Sequence, residues 1–269
     1  MEKYILNEKG QAMPSKVIPV TPAAFGPRAG TEITWLGGAG ILLNVRGTTI
    51  LIDPLLTGFD MPVLFDCPLK PEDVPHLDAV LVTHIDNDHF SRETCLALRD
   101  VCRSFHSTAY VAEEMRAAGI PGEGHGIGET FAVGDVRVTL TPAKHNWQNG
   151  IPEFAYRTWA EVDYCGFRFE TPDGSVWLPG DSRLLESHLH MDAPDVILFD
   201  FSDNMWHIGL EDAVKLADAY PHARLVLIHW GTVDAPDMTP FNANPADLYA
   251  RIVNPGRIRP LWPGEALAL

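Results

Sequence analysis

Cysteine is scarce in this chain: Cys67, Cys95, Cys102 and Cys165 are the whole supply, and no two stand at a Cys-x-x-Cys spacing. That excludes a disulfide-built scaffold, and four reduced thiols suit a cytoplasmic protein. Basic residues are scarce as well. Twenty Lys and Arg face 36 Asp and Glu, giving a formal net charge of −16. A phosphate backbone needs a compensating basic surface, so the charge speaks against nucleic acid as a partner. Anionic membranes and other polyanions are repelled for the same reason. No apolar run is long enough to span a bilayer. The start, Met1-Glu2-Lys3-Tyr4-Ile5-Leu6, lacks the basic region and long apolar stretch of a secretory signal. No stable membrane association is expected. A Gly-x-Ser-x-Gly elbow is missing too, which removes the commonest serine nucleophile. What is left is a small-molecule substrate, which can still be anionic if bound metal sets the local field. A homo-oligomer stays open.

What is present fits one sizeable domain. Of the 269 residues 46% are hydrophobic, enough for a substantial core. Residues 1–30 are rich in Pro, Gly and Ala and read as an N-terminal arm; 31–269 read as a single domain. Apolar and β-branched runs predict strands at 31–36, 41–46, 48–53, 78–83, 135–141, 164–170, 175–179, 195–200, 224–229 and 257–262. Helices are expected from about Ser91, whose hydroxyl can cap the first turn, and at 113–118, 210–220 and 245–253, with a short one after Asp181. Strands cluster first and later alternate with helices. That suits an α/β fold of the αββα type, two packed mixed sheets with helices on the outer faces.

The densest chemistry is Thr83-His84-Ile85-Asp86-Asn87-Asp88-His89, directly after the apolar run Ala79-Val80-Leu81-Val82. Two imidazoles and two carboxylates at the end of a buried strand are a ligand set for divalent cations. His145, Asp181 and His229 each close a later strand-like run. Ligand residues delivered by several strand ends can meet at one rim of a sheet, where rigid strands hold loops that are free to vary.

In order and spacing, His84, Asp88, His89, His145, Asp181 and His229 resemble the metallo-β-lactamase-fold superfamily, whose members share a His-x-His-x-Asp-His loop, then a His, an Asp and a last His. Ile33-Thr34-Trp35-Leu36-Gly37-Gly38 and Ile50-Leu51-Ile52-Asp53-Pro54 look like its first hairpin. Ile228-His229-Trp230-Gly231-Thr232, with His207 ahead of Gly209-Leu210-Glu211, is similar to the branch of ascorbate-phosphate lactonases and N-acyl-phosphatidylethanolamine phospholipase D. The resemblance implies two divalent metal ions about 3.5–4 Å apart with a bridging hydroxide as nucleophile. It assigns His84, Asp86 and His145 to the first ion, Asp88, His89 and His229 to the second, and Asp181 as the bridge. Asp88 would also orient the nucleophile and pass on a proton, and His207 would act as oxyanion contact or general acid.

One departure bears on the metal. Asp86 stands where the family's loop carries its second His, and Gly38 where many relatives carry a His. A third carboxylate lowers the formal charge of the site by one unit and favours harder ions, manganese or iron over zinc. Iron-binding members of the superfamily are similar in carrying a carboxylate there. Asp53 and Thr83 are expected to fix imidazole rings beneath the loop. Phe65, Trp147, Tyr156 and Trp206, from aromatic, Pro-containing segments and the stretch before His207, are candidates to contact substrate. Lys144 and Arg183 stand beside expected ligands and could hold an anionic group. The leading expectation is a metal-dependent hydrolase of a small ester, lactone or phosphodiester. The alternatives are a dinuclear iron or manganese redox enzyme and a non-catalytic metal-binding protein.

Overall fold

The computed structural model describes residues 2–269. Alternation decides its architecture. Ile41, Leu43, Ile50, Ile52 and Leu81 point one way, and Leu42, Leu51, Val80 and Val82 the other, as successive strand residues must. The first set meets Val138, Leu140, Phe167, Phe169, Val176 and Leu178 from a second sheet. The second set is covered by Cys95 and Leu98 of helix Arg92–Leu98 and by Val111 and Met115 of helix Ala109–Ala117. Both faces of the first sheet are therefore buried, which is why its strands read as nearly continuous apolar runs. Helix Leu210–Ala219 covers the second sheet through Ala213, Leu216 and Ala217. The expected αββα layering is present. No helix among the described residues is long and apolar enough to cross a membrane.

Each sheet has seven strands. The first runs Ala266–Ala268, Thr31–Gly37, Gly40–Val45, Thr48–Ile52, Ala79–Leu81, Phe105–Thr108, Gly122–His125. The second runs Ile258–Arg259, Arg224–Leu227, Val196–Phe199, Gly174–Leu178, Cys165–Thr171, Val136–Pro142, Thr130–Val133. In both, antiparallel hairpins give way to parallel pairs. The ends of Thr48–Ile52 and Ala79–Leu81 lie on one rim with the ends of Val136–Pro142, Gly174–Leu178, Val196–Phe199 and Arg224–Leu227. Cys165 N donates to Thr83 O (3.1 Å) and His229 N to Gly38 O (2.8 Å), which ties the two sheets together there.

Several boundaries differ from the sequence expectation, each for a local reason. The helix expected at 113–118 starts at Ala109, because Thr108 accepts from Val111 N and caps it earlier. The helix expected over 245–253 is only Ala246–Tyr249. Beyond it, Pro255 bars Asn254 from the helical region and Asn254 takes the left-handed conformation (φ +58°), which bounds any helix here. The last strand of the second sheet stops at Arg259 because Pro260 has no N–H for the ladder. The arm is partly ordered as a hairpin, Tyr4–Leu6 with Ala12–Pro14, and Ala12 and Phe25 are buried.

Candidate metal centre

Seven of the sequence-selected side chains meet at the shared rim. His84 and His89 stand on the loop after Ala79–Leu81, with ring centroids 4.1 Å apart. His145 arrives from the end of Val136–Pro142, Asp181 from Gly174–Leu178 and His229 from Arg224–Leu227. Potential ligand atoms of His84, Asp86 and His145 lie within 4.8 Å of one another, as do those of Asp88, His89 and His229. Asp181 Oδ2 sits between the two groups, 3.2 Å from His89 Nε2, 3.4 Å from His229 Nε2 and 3.9 Å from His145 Nε2. Two backbone features permit this approach. Gly180 (φ +72°) leaves no room for a side chain, since a Cβ would lie 2.5 Å from Cys165 O. His229 itself is held at φ +58°, a conformation costing about 1–3 kcal/mol that the surrounding packing sustains.

The hydrogen bonds turn every ring the same way. His145 Nδ1 faces Trp206 O at 2.8 Å and His229 Nδ1 faces Pro240 O at 3.2 Å. A carbonyl only accepts, so each Nδ1 carries a proton and each Nε2 is the nitrogen turned toward the acids. His89 Nδ1 lies 2.8 Å from Asp53 Oδ2. Thr83 Oγ1 donates to Asp53 Oδ2 (2.7 Å), which leaves its lone pairs to accept from His84 Nδ1 at 3.0 Å. His207 Nδ1 is held by Asp200 Oδ2 at 2.7 Å, and its Nε2 points back to Asp181 Oδ2 at 3.6 Å. Five Nε2 atoms thus converge on three carboxylates. Two of them, His84 Nε2 and His89 Nε2, are fully buried and find no hydrogen-bond partner among the described residues. Buried polar atoms without partners are rare. Imidazoles oriented by protein acceptors, with the far nitrogen free, are what a bound cation requires. The donor set fits divalent metal.

The charges agree with this. Burial pushes the Asp86 carboxyl up, but the His84 and His145 rings outweigh it and hold it below the usual range. Asp88 and Asp181 are likewise held well below it, against burial, by His89 with His229 and by His229, His89 and His207 respectively. Burial pulls His89 and His229 down, yet Asp181 leads the carboxylates that raise both, His229 to about 10. In the protein alone, protons on the rings balance the acids; a cation that binds there must displace them.

Asp86 points inward, 3.3 Å from His84 Nε2 and 3.4 Å from His145 Nε2. Its carboxylate is held at both oxygens: Trp147 Nε1 donates to Oδ2 and Gln148 Nε2 to Oδ1, each at 2.7 Å. Gln148 is fully buried and accepts from the Tyr164 hydroxyl at 2.6 Å. The departure from a His at this position therefore comes with its own donors. Asp86→His should leave the indole and amide without an acceptor and shift preference toward zinc, by about tenfold to a hundredfold in the zinc-to-manganese affinity ratio. Competition binding of the two ions checks this; an unchanged ratio would show that Asp86 touches neither.

Above these residues lies a cavity of about 660 Å³. Trp147, Tyr156 and Trp206 line it as expected, joined by Phe154, Trp159 and Phe241. Phe65 does not; its ring packs against Trp35 and Gly37, on the hairpin. The Lys144 ammonium is paired with Glu161. The Arg183 guanidinium lies over the Trp206 ring at 4.1 Å. Neither Lys144 nor Arg183 lines the cavity, whose one cation, among the described residues, is Arg92, paired with Glu114. Asp200, Gln148 and Phe241 were not selected from sequence. Asp200 closes the apolar run Val196–Phe199, the same signal that marks Asp181, and could have been found by it.

Similarity to known proteins follows the same lines. The β-lactamase superfamily domain profile matches residues 48–230. A metal-dependent hydrolase of Methanosarcina barkeri (strain Fusaro / DSM 804) is 27% identical over 222 residues, 76% of this chain and 85% of that protein. An N-acyl-phosphatidylethanolamine-hydrolyzing phospholipase D of Caenorhabditis elegans is 23% identical over 244 residues, 79% of this chain and 67% of that protein. The crystal structure of a possible metal-dependent hydrolase from Veillonella parvula DSM 2008 superposes with a TM-score of 0.73 at 22% identity, covering 90% of this chain and 100% of the other.

Proposed function

This chain belongs to the β-lactamase superfamily, and from that premise we propose that it is a metal-dependent hydrolase of a small, neutral, largely apolar ester or lactone. One observation carries the reading: five imidazole Nε2 atoms and three carboxylates form the floor of a cavity walled by aromatic rings. A pair of divalent ions held there would supply Lewis acidity to a carbonyl oxygen and lower the pKa of water.

The remaining work falls to the chain itself. Trp147 and Gln148 keep Asp86 aimed inward, and Asp53 and Thr83 lock the rings of His84 and His89. Trp147, Phe154, Tyr156 and Trp159 exclude water from an apolar substrate and orient it over the floor. Asp88 is placed to hold the proton that leaves water, with Oδ2 3.4 Å from His229 Nε2. His207 Nε2 faces the same floor and can return a proton to the leaving oxygen. Three carboxylates lower the positive charge offered to substrate, and the one cation in the wall, among the described residues, is already paired. Both features favour a neutral acyl group over a phosphodiester.

The test is a panel of aryl and alkyl esters, lactones and a chromogenic phosphodiester, with and without chelator. Ester or lactone turnover that is lost on chelation and restored by manganese or iron supports the reading. Turnover confined to the phosphodiester would contradict the substrate class. Asp86 and its oxygen-rich neighbourhood favour a second reading, a dinuclear iron or manganese redox enzyme. Oxygen uptake with a reductant, without hydrolysis, would decide for it.

A further inference from the structure

The geometry points to a second metal site, separate from the one at the rim: His106, His125 and Glu123 bind one divalent ion of the zinc class at the edge of the first sheet. His106 lies on Phe105–Thr108, and Glu123 and His125 on the neighbouring edge strand Gly122–His125. The strands are parallel, with His106 opposite Glu123 and Thr108 opposite His125. Side chains two apart on a strand share a face, so all three project together. His106 Nδ1 lies 3.0 Å from His125 Nε2 and 3.8 Å from Glu123 Oε2. Ligand atoms of the three residues all fall within 4.8 Å of one another.

The surroundings hold the rings in that arrangement. His125 Nδ1 faces Glu129 Oε1 at 3.3 Å, and the other Glu129 oxygen accepts from Gly126 N at 2.8 Å. This carboxylate keeps the proton on Nδ1 and leaves Nε2 bare toward His106, as carboxylates behind metal-binding imidazoles do. The Phe131 ring stacks on both imidazoles, with centroids 4.4 Å from His106 and 4.2 Å from His125, which restrains both rings. His106 is buried, and a lone proton shared by two nitrogens is the least that must lie between them. An ion displaces that proton. Two imidazole nitrogens and one carboxylate, with water completing the set, suit zinc. Nitrogens on one tetrahedral ion lie about 3.3 Å apart, so the rings need to part by only a few tenths of an ångström. The ligands belong to the first sheet, while Phe131 lies on Thr130–Val133, the edge strand of the second. A bound ion would fix that edge.

The experiment counts zinc bound to chelator-stripped full-length protein after titration and gel filtration, for wild type, His125→Gln and Glu123→Gln. The rim site is intact in all three, so only the difference is read. His125→Gln should bind one zinc fewer per chain, and Glu123→Gln should hold one zinc at least about tenfold more weakly. The Glu123 side chain is 62% exposed, so that variant serves if His125→Gln fails to fold. A deficit in either supports the site. Equal counts and affinities in all three proteins would overturn it and leave His106 and His125 as a hydrogen-bonded pair of neutral rings.

Discussion

Replacing Asp181 by Ala should strip the rim of metal and abolish hydrolysis. No other side chain faces so many of the converging nitrogens. Its Oδ2 lies within 3.2–3.9 Å of Nε2 atoms from His89, His229, His207 and His145. Removing groups that merely orient ligands costs metal sites about 10–100-fold in affinity, and a shared ligand costs more. The variant also removes one of three acids that balance the cation charge. Turnover should fall by about 10³-fold or more, equivalent to at least about 4 kcal/mol of barrier. Metal analysis after gel filtration and a turnover assay check this together. Full metal content in Asp181→Ala would refute the bridging role.

His207→Ala should separate chemistry from metal binding. Turnover should drop by about 10²–10⁴, the usual contribution of a positioned acid or base, while metal content stays unchanged. The expectation rests on the pairing with Asp200, which fixes His207 Nδ1 at 2.7 Å and leaves Nε2 over the floor of the cavity. The ring centroids of His145 and His229 lie 5.0 and 4.9 Å away, so His207 stands beside the converging ligands. Asp200→Asn should lower turnover in the same direction, because an amide in place of the carboxylate holds His207 Nδ1 less firmly. Undiminished turnover in His207→Ala would leave the ring with a purely structural role. Loss of metal would instead make it a ligand.

Much of this was legible in the chain because the informative residues end apolar runs. Asp53, His84, His145, Asp181 and His229 each follow a segment whose burial the sequence announces, and a polar side chain at such a position needs a reason. The layering was legible for the same reason, since Ile50-Leu51-Ile52 and Ala79-Val80-Leu81 carry apolar residues to both faces. Other elements left no such mark. Strand Gly122–His125 contains two glycines, a Glu and a His, so no apolar alternation betrays it. It is held by its parallel neighbour Phe105–Thr108, a tertiary cause. Gln148 and Phe241 sit on short 3-10 turns with no periodic pattern, and only the folded chain shows that one holds Asp86 and the other stacks on His229. Lys144 and Arg183 misled because proximity in sequence to a ligand does not fix where a long side chain points. Glu161 and the Trp206 ring claim them instead.

The whole account depends on cations lodging where those nitrogens and acids converge. Anomalous diffraction at the manganese edge from crystals loaded with manganese observes this directly. Two peaks are predicted beside Asp181, one bounded by His84, Asp86 and His145 and the other by Asp88, His89 and His229, about 3.5–4 Å apart. Crystals showing no peak within bonding reach of His84 Nε2 or His89 Nε2 would contradict it.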